Sequence, residues 1–209
     1  MIDEKAQKAQ HIIGSTMSAC IPSWYLPVVS GMACNIAEKQ MLAKIVKTIL
    51  DREDDVLADR LFWFHRKKFL FVDLATYLPW AGPPFQILEV YSLGQFAIRY
   101  LTLHGDRAEE GELNEVWACI ESDIHSASRV IDSFREFTGK PLPESLVGPV
   151  TFAVEKFHGA VQTVQRVPGA AEFQYFVGDK MEYASHLASA SIKSAFGSIL
   201  GRIRGQRST

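Results

Sequence analysis

Ile21-Pro22-Ser23-Trp24-Tyr25-Leu26-Pro27 and Leu78-Pro79-Trp80-Ala81-Gly82-Pro83-Pro84 are the two stretches that decide the fold. Each interrupts an apolar run near its middle, residues 11–37 in one case and 69–103 in the other. Proline removes a backbone donor, and its ring pushes the preceding residue out of the α region, so a helix that reaches such a stretch stops there. Each run therefore predicts two apolar helices joined by a proline and tryptophan turn. The first run has no Asp, Glu, Lys or Arg from His11 to Ala37, long enough to raise the question of a bilayer.

A spanning helix needs about 20 apolar residues to cross roughly 30 Å of hydrocarbon. Pro22 and Pro27 cut the uncharged run into arms of about ten residues, each reaching only about 15 Å as a helix. A straight crossing would also place residues 39–68, with eight Lys and Arg, on the side opposite both ends, against the preference of basic loops for the cytosolic face. Re-entrant or surface-lying hairpins avoid that difficulty. They would set Trp24, Tyr25 and Trp80 at depths that favour amphipathic aromatic rings. A soluble bundle buries its centre with the same apolar hairpins, and Asp73, Glu89 and Arg99 in the second run are costly in lipid.

Elsewhere the periodicity is helical. Leu113, Trp117, Ile120, Ile124, Ala127, Ile131 and Phe134 recur at steps of four and three, which predicts one amphipathic helix over 109–138 that stops at Gly139-Lys140-Pro141. A second is expected after Pro143, with Leu146, Val150, Val154, Phe157, Val161 and Val164 on one side, ending before Pro168-Gly169. A third is expected from about Ala171 to Gly201, with small residues at Ala190, Ser194, Gly197, Gly201 and Gly205 and an arginine tail. Phe69 to Val72 and Phe173 to Val177 are apolar enough for strands, yet length and neighbours favour helix. The expected fold is all-α: a helical bundle of two proline-turn apolar hairpins plus three longer amphipathic helices. Residues 1–105 form the double-hairpin region and residues 106–209 the amphipathic region packed on it, with the seam at Gly105-Asp106 and a charged connector, Asp51 to Lys68, between the hairpins.

Composition narrows the function classes. The 209 residues carry a formal charge of -2, so no overall basic field attracts nucleic acid. Cys20, Cys34 and Cys119 are far apart in the chain and form no Cys-x-x-Cys pair, which predicts neither a disulfide framework nor a zinc site. The N-terminal residues are acidic before they are basic, so no secretory signal is expected.

Nothing in the spacing arranges a nucleophile, a base and an orienting group. No glycine-rich phosphate loop precedes Lys193-Ser194, and the six histidines are scattered. Asp123 and His125 fall on different helix faces. Glu121 and His125 could meet at i and i+4, but the Glu-x-x-His spacing of carboxylate metal bundles is absent. No catalytic residue, cofactor or metal is expected.

Leu78-Pro79-Trp80-Ala81-Gly82 followed by Tyr91-Ser92-Leu93-Gly94-Gln95-Phe96-Ala97-Ile98-Arg99-Tyr100-Leu101 resembles an uncharacterised helical-hairpin domain, a domain of unknown function appended to bacterial Era-like and dynamin-like GTPases and found in standalone membrane-associated proteins. His11-Ile12-Ile13-Gly14, Ile21-Pro22 and Asn35-Ile36-Ala37 through Met41-Leu42 to Ile45 are similar to that family's first hairpin. The likeness covers roughly residues 8–104. Ser23 stands where the family has glycine after the first proline, and no GTPase is attached. The resemblance implies hairpins that contact or enter membranes, and no catalytic residue.

The expected function is a non-enzymatic, membrane-associated adaptor or assembly subunit on the cytoplasmic side, peripheral or partly inserted at the inner face of a membrane. Its contacts with a membrane surface or protein complex are expected at Trp24, Tyr25, Leu26, Trp80, Phe85 and Trp63. Homo-oligomers are compatible with this, and nucleic acid is not an expected partner. The alternative is a soluble bundle holding an apolar ligand between the hairpins; an enzyme of unrecognised type comes third.

Overall fold

The computed structural model describes residues 2–21, 27–76, 82–124 and 126–166, together with 179, 180 and 182. Seven helices account for most of them: α1 (Ile2–Cys20), α2 (Pro27–Leu50), α3 (Asp55–Thr76), α4 (Gly82–His104), α5 (Glu110–Asp123), α6 (Ala127–Thr138) and α7 (Glu144–Arg166). No strand occurs among the described residues, and the fold is an all-α bundle. Phe69 to Val72 lie within α3.

The helix ends follow from local chemistry. α1 stops before Pro22 and α2 starts on Pro27; α4 carries Pro83 and Pro84 in its first turn, where their missing N–H groups have no helical partner to lose. Between α2 and α3 only residues 51–54 are non-helical. There Asp51 takes a left-handed φ of 57°, while the Asp54 carboxylate caps α3 by accepting the Leu57 N–H at 3.0 Å. The charged connector expected from Asp51 to Lys68 is thus mostly the first half of α3, because its apolar residues Leu57, Ala58, Leu61, Phe62 and Phe64 all enter the core.

α1 to α4 run alternately up and down. Lys5 Nζ bonds the Ile49 carbonyl at 3.1 Å, and the Cys20 and Cys34 sulfurs lie 3.6 Å apart near the other end of the same pair. Lys39 meets Asp59 across α2 and α3, and Phe64 stacks on Phe96 across α3 and α4 with centroids 5.4 Å apart. Both proline-broken ends therefore lie at one end of the bundle.

α4 is the central helix. It packs against α1, α2, α3, α5 and α7, and every residue from Phe85 to Gly94 is buried, as expected of a helix enclosed on all sides. One hydrophobic cluster runs from Ala9 on α1 to Phe157 on α7. α1 approaches its neighbours at two glycines. A Cβ on Gly94 would lie 2.4 Å from Ile13 Cγ1, and one on Gly14 would lie 2.5 Å from the Phe137 carbonyl oxygen.

The single helix expected over 109–138 is two. α5 ends at Asp123, and Ser126 is extended at φ -114°, ψ 111°. Asp and Ser compete with the helix for backbone hydrogen bonds, and the Asp123 carboxylate is drawn both to Arg99 of α4 at 3.1 Å and to Arg129 of α6 at 2.6 Å. The break rotates the buried stripe by one position, so that α6 buries Val130, Phe134 and Phe137 rather than Ala127 and Ile131. Gly139, left-handed at φ 68°, ends α6 as expected. α7 buries Leu146, Val150, Val154 and Phe157 as expected, and Ala153 in addition. The helix expected from Ala171 to Gly201 lies outside the described residues, apart from Asp179, Lys180 and Glu182, which are helical.

The glycine contacts yield a quantitative expectation. Gly94→Ala should destabilise the protein by about 1–3 kcal/mol through overpacking. Adding Ile13→Ala should cost less than the sum of the two single changes, since each makes room for the other. Urea unfolding of the two singles and the double gives the coupling; strict additivity would mean that α1 and α4 do not meet at this point.

Candidate functional site: the uncharged end and the buried charge layer beneath it

Among the residues expected to make contact, Trp24, Tyr25, Leu26 and Trp80 lie outside the described residues. The structure corrects the other two. Phe85 is 2% exposed on the first turns of α4, and Trp63 is 8% exposed, with its ring edge on Phe62 and the Lys39 ammonium 5.3 Å from its centroid. Both are core side chains. Phe85 follows the proline turn directly, but α4 is enclosed from that point on. Trp63 sits on the face of α3 toward α2, where Lys39 and Arg66 lie over the aromatic pair.

A buried charged layer between α2, α3 and α4 is built on one guanidinium. Arg66 of α3 reaches Glu38 of α2 at 2.8 Å and Glu89 of α4 at 2.8 Å, and also donates to the Asn35 side chain. The Glu38 side chain is fully buried and that of Glu89 nearly so, while Arg66 keeps 15% of its side chain exposed. Carboxylates are affordable in such a place only when paired, and the planar fork of arginine can serve two at once.

A polar row lies along the same part of α4. Gln86, Glu89 and Ser92 are all buried and follow one another at steps of three. The Ser92 hydroxyl donates to the Glu89 carbonyl at 3.0 Å, which uses its one proton. It must therefore accept from His65 Nε2, 2.8 Å away. That assigns the tautomer: Nε2 carries the hydrogen, and Nδ1 is an acceptor with no hydrogen-bond partner among the described residues, as is Gln86 Oε1. Burial, and secondarily the Arg66 charge, hold the His65 pKa well below the usual imidazole value. Its ring is enclosed by Phe69, Phe96 and Trp117.

Cys20 and Cys34, distant in the chain, meet across the α1–α2 hairpin. Both thiols are reduced and buried. Sharing a proton with Cys34, burial, and negative charge on Cys34, Glu38 and Glu89 all push the Cys20 thiol up. Sequence spacing missed this pair; hairpin register would have found it, because a turn centred near residue 27 pairs 20 with 34 just as it pairs 5 with 49.

Distances along the helices define a sparsely charged cap, with Lys67, Lys68 and Asp73 on α3 its acidic and basic residues. At about 1.5 Å per residue, Arg66 lies about 15 Å from Thr76 at the end of α3, Glu38 about 16 Å from Pro27, and Glu89 about 10 Å from Gly82. Asp73 is the one acidic or basic residue between Lys68 and Glu89. The other end of the bundle is densely charged: Lys5 with Asp51, Arg52 with Asp54 and Asp106, and Lys47 with Glu53.

Comparison with family models, curated proteins and solved structures gives no match for this chain. Among the described residues no helix is long and apolar enough to cross a membrane, and no cluster of His, Cys, Asp and Glu could hold a metal ion. Glu121 accepts the Trp117 indole N–H at 3.1 Å, and His125 lies outside the described residues.

Two outcomes test the buried layer. Arg66→Met strands two buried carboxylates and should cost about 3–5 kcal/mol, read from the shift in urea midpoint; a loss under about 1 kcal/mol would mean that water already reaches them. His65 titrates between states: unfolded it binds a proton below pH about 6.5, whereas folded it stays neutral well below that. Stability should therefore fall as pH drops from about 6.5 toward the folded pKa, by about 1.4 kcal/mol between pH 7.5 and 5.5 from this group. His65→Gln, which keeps a donor for Ser92, should lose that increment. An unchanged pH slope in the variant would show that His65 is not its source.

Proposed function

We propose that the protein is a non-enzymatic, membrane-associated adaptor or assembly subunit that contacts a bilayer with the sparsely charged end of its double hairpin. The observation that supports this reading is the lengthwise polarity of α1 to α4. Charged pairs gather at the end holding Asp51 and Asp106, while over the roughly 10–16 Å of helix at the opposite end α1, α2 and α4 carry no Asp, Glu, Lys or Arg and α3 carries Lys67, Lys68 and Asp73. That depth is similar to one leaflet's share of a hydrocarbon layer roughly 30 Å thick. A bundle entering end-on by that amount would keep the Arg66 layer near the headgroups and would not need a spanning helix. The sequence at the tips, with Trp24, Tyr25 and Trp80, has the amphipathic aromatics that favour this interface.

The test is flotation of the full chain with vesicles of phosphatidylcholine and phosphatidylglycerol. The wild type should float. A Trp24→Glu, Trp80→Glu double variant should stay at the bottom, since an acidic group placed deep in hydrocarbon costs about 2.5–3.5 kcal/mol, while its melting temperature stays near that of the wild type. If the wild type ignores vesicles and remains wholly in the supernatant of a detergent-free lysate, the membrane reading fails.

A further inference from the structure

We propose that Cys20 and Cys34 form a reversible disulfide that locks the α1–α2 hairpin. Three observations carry it. The two sulfurs are 3.6 Å apart, with Cys34 donating to Cys20, so they must close by about 1.6 Å to reach the disulfide length. The two residues sit on different helices and flank the first proline turn, so the bond would tie the end of α1 to the body of α2. Cys119, the third cysteine, is exposed on α5 and takes no part in this contact.

The chemistry balances with a hydroperoxide as oxidant. One of the two sulfurs, as thiolate, attacks a peroxide oxygen; the O–O bond breaks, and with proton transfer this leaves a sulfenic acid and water. The second sulfur then attacks the sulfenic sulfur, the S–S bond forms, and the hydroxyl leaves as a second water. Two thiols and one hydrogen peroxide thus become one disulfide and two waters. A dithiol reductant reverses the step by thiol–disulfide exchange. Access comes from position: Cys20 is the last residue of α1, and helix ends fray. Between openings the pair is sheltered by burial and holds little thiolate, so the reaction is slow.

The inference is independent of membrane contact. To test it, the full chain carrying Cys119→Ser is treated with hydrogen peroxide, quenched, denatured, alkylated and digested without reductant. The expected result is one linked peptide pair joining Cys20 to Cys34, loss of two hydrogens in the intact mass, a higher melting temperature, and reversal of all three by dithiothreitol. Single Cys20→Ser and Cys34→Ser variants should show none of these changes. Recovery of both cysteines fully alkylated, under conditions that oxidise Cys119 in the wild type, would overturn the proposal. So would sulfinic acid at either position without the cross-link, or a cross-link found only between molecules.

Discussion

Arg66 is the constraint on which the rest of the bundle depends. Apolar packing between long helices has no direction of its own, and α1 to α4 could bury similar areas in more than one register. A guanidinium inserted between α2 and α4 removes that freedom. It must meet Glu38 on one side and Glu89 on the other, and a slip of one turn along either helix would leave a charge in the core at a cost of several kcal/mol. Aromatic rings stacked above and below the same level, Phe62 against Arg66 and Phe64 against Phe96, complete the layer.

From that layer the C-terminal helices find their places by contact with α4 and α1. Trp117 of α5 closes over His65 and Phe69, Phe157 of α7 stacks on Phe69, and Phe137 of α6 rests against Gly14. The two halves of the chain share this aromatic centre. The turn between them holds Gly105 at φ 69° and Ala108 at φ 53°, and Ala108, in the less favourable conformation for a side chain, is buried.

Much of the fold was legible in the sequence, and the reasons are specific. Pro22, Pro27, Pro83 and Pro84 mark helix ends through covalent geometry, although Pro149 is carried inside α7. Gly139 marks another through its left-handed backbone. The break at Ile124–Ser126 was hidden because the apolar spacing continues through it; only the pull of Arg99 and Arg129 on Asp123, a contact between distant residues, shows why the helix stops. For the same reason Glu89 was visible as a costly charge while its partners were not. Trp63 and Phe85 illustrate the opposite error, since an aromatic beside a turn or a basic run looks like an anchor until its neighbours are known.

The up-and-down order of the first four helices has an electrical consequence for their sparsely charged end. α1 and α3 finish there and α2 and α4 begin there, so two carbonyl ends, each worth roughly half a negative charge, face two amide ends of opposite sign. The partial charges cancel at short range. The helix backbones therefore project little net field from that end. The helix dipoles would neither draw in nor repel a charged molecule there, and salt would change their effect little.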